Sequence, residues 1–112
     1  MKPFTSSVGG IALITVPAES ALVVQTVSVQ INVTAGHRTS ATIRYVADGQ
    51  TTSLFLPVSY AYRSPANYDT YHAAVALVLY ADAGTDIELD QYSPDGTTGT
   101  PFLTISGYLS DV

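Results

Sequence analysis

Cysteine is absent from this 112-residue chain, which excludes a disulfide framework and thiolate chemistry and leaves the redox compartment open. Charge is scarce too: Asp, Glu, Lys and Arg make up 12% of the residues, against about 25% in typical domains. Lys2 is the only lysine, and Arg38, Arg44 and Arg63 are scattered. Phosphate binding needs clustered cations, so these residues and the net charge of −5 exclude nucleic acid as a partner. No apolar run approaches the roughly 18 residues of a membrane-spanning helix, and no membrane partner is expected. Coiled-coil and collagenous stretches are missing, so the chain supplies no shaft.

What fills the sequence instead is hydroxyl. It holds 14 threonines and 11 serines, and such a surface can be covered by a neighbour with little charge desolvation. Interface cores are likewise depleted in charge. The hydrophobic fraction of 46% is that of a folded protein, and the length suits one domain with a single core.

The dominant period is two. In ALVVQTVSVQINV, Val23, Val27, Val29, Ile31 and Val33 share one face with Gln25 as the exception, and Val24, Thr26, Ser28, Gln30 and Asn32 line the other. SATIRYVA places Ala41, Ile43, Tyr45 and Ala47 inward. Asp48-Gly49 is a hairpin signal, because the turn needs the positive φ that glycine adopts easily. TTSLFLPV returns, and Pro57 marks a strand end. HAAVALVLY is apolar on both faces and reads as a central strand covered on both sides; a helix is the alternative. TDIELDQY alternates with Ile87 and Leu89 inward, and the chain closes on PFLTISGYLSDV, with Leu103, Ile105, Gly107 and Leu109 on one face. With GIALITV at the start, seven strands are counted. The expected fold is an all-β antiparallel sandwich, jelly-roll-like or immunoglobulin-like, of about seven to eight strands. Its domain spans residues 11–112, preceded by a flexible arm over 1–10. That N-terminus imitates a signal peptide only in part, its apolar stretch being short and broken by Gly9 and Gly10.

Chemistry is hard to find. Asp82, Asp86, Glu88, Asp90 and Asp95 form the one acidic concentration. Same-face residues on a strand lie about 7 Å apart, too far for three carboxylates to chelate one ion, so a solvated acidic face is expected. His37 and His72 show no metal-ligand spacing. No nucleophile elbow and no facing carboxylate pair is visible. No cofactor, metal or catalytic residue is assigned. Asn32-Val33-Thr34 matches a glycosylation acceptor, which matters only in a eukaryotic secretory setting.

The richer candidate is YAYRSPANYDTY, an irregular connection that gathers Tyr60, Tyr62, Tyr68 and Tyr71 around Arg63, Asn67 and Asp69. Tyrosine and arginine dominate interface hot spots, and tyrosine with Asn and Asp also suits a sugar-binding loop. These side chains either contact a partner or cap the end of the sandwich.

The last third, LVLYADAGTDIELDQYSPDGTTGTPFLTISGYLSDV, resembles the C-terminal third of small jelly-roll structural proteins of tailed bacteriophages. Its TISGYL strand is also similar to that of complement-type and tumour-necrosis-factor-like jelly rolls. The resemblance implies a terminal strand inside a sheet near an oligomer axis, with Leu103, Ile105 and Leu109 in the core. Gly107 would then let a neighbouring chain approach, and Phe102 and Tyr108 would face a subunit contact. It implies a non-enzymatic virion protein that decorates or cements the head shell. The partners would be the major capsid protein and further copies of itself, as a dimer or trimer, with Lys2, Pro3 and Phe4 in a docking arm. It would assemble in the host cytoplasm and end on the capsid surface. A receptor- or carbohydrate-binding head of a tail fibre is the alternative, with a cell-surface glycan on the tyrosine loop.

Overall fold

The computed structural model describes residues 2–9, 13–97 and 99–111. Among these residues are nine strands: β1 (Lys2–Gly9), β2 (Leu13–Thr15), β3 (Ser20–Thr34), β4 (Ser40–Ala47), β5 (Gln50–Leu56), β6 (Ser59–Ser64), β7 (Tyr68–Ala81), β8 (Asp86–Tyr92) and β9 (Thr100–Asp111). They form two antiparallel sheets, ordered β1-β9-β3-β7-β6 and β2-β8-β4-β5. The β4–β5 hairpin is nested inside the β3–β7 pair, which is nested inside β2–β8 and then β1–β9. A long antiparallel ribbon rolled across two sheets in this way is the winding of a jelly roll.

Two strands exceed the seven read from periodicity. The expected arm is β1: Lys2–Gly9 pairs with β9 in continuous register, from Lys2 opposite Leu109 to Gly9 opposite Phe102, and Phe4 and Val8 pack against the core. The expected irregular tyrosine connection contains β6, an edge strand on β7. Of the expected arm and first strand, Met1, Gly10, Ile11 and Ala12 lie outside the described residues.

The core lies between the sheets. Leu22, Val24, Val27, Val29, Ile31 and Val33 of β3 meet Leu79, Leu103 and Ile105 of their own sheet and Ile14, Ile43, Leu56, Ile87 and Leu89 of the other. Burying each such side chain stabilises the fold by about 1.5–3 kcal/mol. The terminal strand escapes fraying because it is interior, held by β1 on one side and β3 on the other.

Gln25 breaks the alternation of β3 for a structural reason. Val24 and Thr26 face the consecutive residues Gly107 and Ser106 of β9, so Gln25 is an extra residue, a β-bulge. The bulge inverts the phase: Leu22 and Val24 point inward before it, and Val27, Val29, Ile31 and Val33 after it, while Val23 turns outward. The close approach at Gly107 is therefore within the chain, not to a neighbouring one. A Cβ there would overlap the Val23 carbonyl oxygen and lie 3.0 Å from Val24 Cα.

The Asp48-Gly49 turn forms as expected, with φ of 51° and 75°, and β5 ends at Leu56 before Pro57. Asp82, from the turn after β7, accepts hydrogen bonds from the Asp48 and Gly49 amides at 3.0 and 2.8 Å, which pins that hairpin to the opposite sheet.

Candidate functional site

The acidic strand is placed as read. Ile87 and Leu89 are buried, and Asp86, Glu88 and Asp90 face outward on the four-stranded sheet. Arg44 on neighbouring β4 joins Glu88 and Asp90 in ion pairs, and Thr15 on β2 donates to Asp86 at 2.8 Å. The bond to Glu88 and the charge of Asp90 hold the Arg44 guanidinium above its ordinary pKa. Among the described residues no three His, Cys, Asp or Glu side chains group as metal ligands.

His37 ties two loops together. Its Nδ1 meets Asp95 of the β8–β9 loop and lies 3.0 Å from Thr97 Oγ1, while Tyr71 Oη donates to the His37 carbonyl at 3.1 Å. The bonds from Thr97 and then from His37 hold the Asp95 carboxyl at about 2. A His–Asp pair with a hydroxyl resembles a catalytic relay, but a relay needs the carboxylate and the hydroxyl on opposite ring nitrogens. Here both lie on Nδ1, an arrangement that fastens the loops.

The tyrosine segment is a hairpin, and its register divides the candidate residues between two faces. Tyr60 stands opposite Tyr71, and Arg63 opposite Asp69, on the side of the core. The two rings meet edge to face with centroids 5.9 Å apart. Asp69 is buried; it accepts from Arg63 Nε at 2.8 Å, Arg63 Nη2 at 3.3 Å and the Gly36 amide at 2.9 Å. The Arg63 bond first, then the Gly36 bond, lowers its pKa. Arg63, Asp69 and Tyr71 are thus spent on fastening this end of the sandwich. Tyr62, opposite Thr70, and Tyr68, opposite Thr34, belong to the other side. Asn67 occupies the turn with φ of 66°, a conformation that asparagine tolerates well.

The outer face of the five-stranded sheet is what the sequence reading missed. β7 is not covered on both sides: Ala74, Ala76, Val78 and Tyr80 are exposed, Val78 to 83%. Cross-strand pairing assembles rows on this face. Tyr80, Val23, Tyr108 and Pro3 form one row; Ala76, Thr26, Ser106 and Thr5 the next but one; then Ala74, Ser28, Thr104 and Ser7; then His72, Gln30, Phe102 and Gly9. Not one Asp, Glu, Lys or Arg stands in these rows. Val78 lies between the first two, beside the bulge, where Leu79 and Ala76 face Val24 and Thr26 with two residues between them. Bulges re-aim side chains, and Val78 projects as a knob.

At the other end of the same face the sheet is hollow. An open groove of about 540 Å³ is lined by Asn32, Val33, Thr34, Ala66, Asn67, Tyr68, Thr100 and Phe102. Tyr68 and Asn67 of the expected tyrosine loop thus meet Phe102 of the expected contact strand. Phe102 is 48% exposed and its ring lies over Gly9, whose missing Cβ would sit 2.5 Å from Phe102 Cε1. The Asn32 side-chain oxygen accepts from Thr70 at 2.8 Å, leaving its NH2 pointing away from that bond. Of the expected arm, Lys2 and Pro3 are exposed on the edge strand and Phe4 is partly buried. The chain matches no protein-family model and no curated protein.

Proposed function

We propose that this protein is a non-enzymatic structural protein that works by laying the uncharged outer face of its five-stranded sheet against another protein surface. The setting proposed is the head shell of a tailed phage, as a decoration or cement subunit. The observation that carries the docking role is the segregation of charge. A chain of net charge −5 keeps its acidic strand and Arg44 on one sheet and presents on the other a face of alanine, serine, threonine and aromatics. Such a face can be desolvated cheaply, and its composition matches the charge-depleted core of protein interfaces. The virion setting rests on the resemblance of the last third of the chain to phage jelly-roll proteins.

One observation favours a second reading, a carbohydrate-binding head. The end groove combines two aromatic rings, Phe102 and Tyr68, with the amides of Asn32 and Asn67 and the hydroxyls of Thr34 and Thr100, and its volume falls in the ~300–1,000 Å³ range of small-molecule sites. Antibody labelling of intact particles from the source of this chain, viewed by electron microscopy, separates the readings. Label over the heads supports decoration. Label confined to tail tips supports the second reading, and bare particles beside abundant protein in the lysate overturn both.

A further inference from the structure

The docking face is not uniform, and its relief is arranged symmetrically. The Val78 knob, with Tyr80 beside it, stands at one end, and the groove bounded by Phe102, Tyr68 and Asn32 at the other. From Val78 to Thr70, the β7 residue opposite Asn32, is eight residues, or roughly 26 Å at 3.3 Å per residue. Midway lies the row Ala74, Ser28, Thr104 and Ser7, which holds only small side chains.

Resting on the docking reading, we infer that the occupant of this face is a second copy of the same chain, packed sheet to sheet about a two-fold axis that crosses the strands at the level of Ala74. A two-fold interface brings one patch against itself, so every projection needs a matching recess on the same patch, on the far side of the axis. Knob and groove meet that condition: rotation about the central row carries Val78 of each copy to the groove of the other. The smallest side chains fall at the axis, where the sheets approach most closely.

Charge gives the same answer. Two copies of a chain at −5 repel wherever their acidic sheets meet, and like charges juxtaposed across an interface cost several kcal/mol. The five-stranded sheet is the face on which two identical copies meet without that cost. The area suffices. The five strands hold 55 residues, and at about 3.3 Å along and about 4.8 Å across per residue they cover roughly 870 Å². That footprint exceeds the ~800 Å² per partner that a standard interface buries.

The test is sedimentation of the purified full chain with paired charge variants at the axis. Ala74 is exposed, and in the dimer it lies against its own counterpart. Ala74→Glu and Ala74→Lys, each alone, are expected to weaken dimerisation by at least about tenfold through like-charge repulsion. An equimolar mixture of the two is expected to restore the dimer as a mixed species. Thr51→Glu, at an exposed position on the outer face of β5 in the other sheet, is expected to leave the dimer intact, and unchanged circular dichroism shows that each variant folds. A wild-type chain that stays monomeric at high micromolar concentration overturns the inference, as does a dimer indifferent to both charges at Ala74. The docking reading fails separately: it falls if the wild type is monomeric and particles carrying Ala74→Glu label as wild-type particles do, whereas a monomeric wild type whose label is lost in Ala74→Glu keeps the docking face and removes only the second copy.

Discussion

Replacing Ile105 by alanine tests whether the last strand is the interior element described here. Ile105 is fully buried, opposite Ser6 of β1 and Val27 of β3. The substitution removes three carbon groups, worth about 0.8 kcal/mol each in transfer from water, or roughly 2.4 kcal/mol together. A cavity term adds to this, because a strand paired on both sides cannot slide inward to fill the gap; large-to-alanine changes of this kind cost about 2–5 kcal/mol in total. The expected loss is therefore about 3–4 kcal/mol. Urea unfolding at fixed protein concentration measures it through a lower midpoint with an unchanged slope. Fixed concentration matters, since a dimer's melting point rises with concentration. A loss below about 0.5 kcal/mol, the range of surface substitutions, would refute the interior placement of β9.

Three further outcomes follow from the geometry. Gly107→Ala puts a Cβ into the Val23 carbonyl; because the obstacle is backbone, the change is expected at the upper end of the ~1–3 kcal/mol range for overpacking, and a neutral result in thermal melts would show that β3 can yield at the bulge. Asp95, held at about 2 in the folded chain against about 3.9 unfolded, contributes stability that is present above pH 4 and lost as pH falls towards 2. Melting points from pH 5 to pH 2 should therefore drop more for the wild type than for Asp95→Asn, and parallel curves would contradict the His37–Asp95–Thr97 tie. Asp82→Ala removes the acceptor for the Asp48 and Gly49 amides, so these two amides should exchange with solvent faster, while the Ile43 amide in mid-strand stays protected.

The fold was legible where one alternating face is buried. β8 and β9 follow their patterns, and the Asp48-Gly49 hairpin formed where the dipeptide placed it. Gln25, an exception in an otherwise clean strand, was the visible trace of the bulge; alternation alone cannot say that the phase inverts there, because that depends on what Gly107 leaves open across the sheet. β1 was hidden because KPFTSSVG carries only Phe4 and Val8 as apolar inward residues, and its strand character comes from pairing with β9, about a hundred residues away. β6 offers six mostly exposed residues and is organised by β7 alone. For the site, Asn67 and Tyr68 were visible as a turn with aromatics, but the groove forms only when β3 and β9 bring Asn32 and Phe102 beside that turn. HAAVALVLY was correctly read as a strand apolar on both faces. The inference of cover from within the chain failed because an apolar outer face reads the same whether another sheet of this chain or another molecule is meant to meet it.

That ambiguity bears on function. An isolated domain that exposes Val78 to 83%, with Tyr80 beside it and Phe102 towards the far end of the same face, accepts an aggregation risk that a few polar substitutions would remove. Its other sheet shows that the chain does place charge where a face meets water, at Asp86, Glu88, Asp90 and Arg44. Two strands of similar exposure, β7 and β8, have thus been given opposite surfaces within one small protein. Solubility would favour charge on both, and core packing is indifferent to outward residues on either. What distinguishes the two outer faces is charge: one carries Asp86, Glu88, Asp90 and Arg44, and the other, free of charged side chains in its rows, suits the docking role proposed for it.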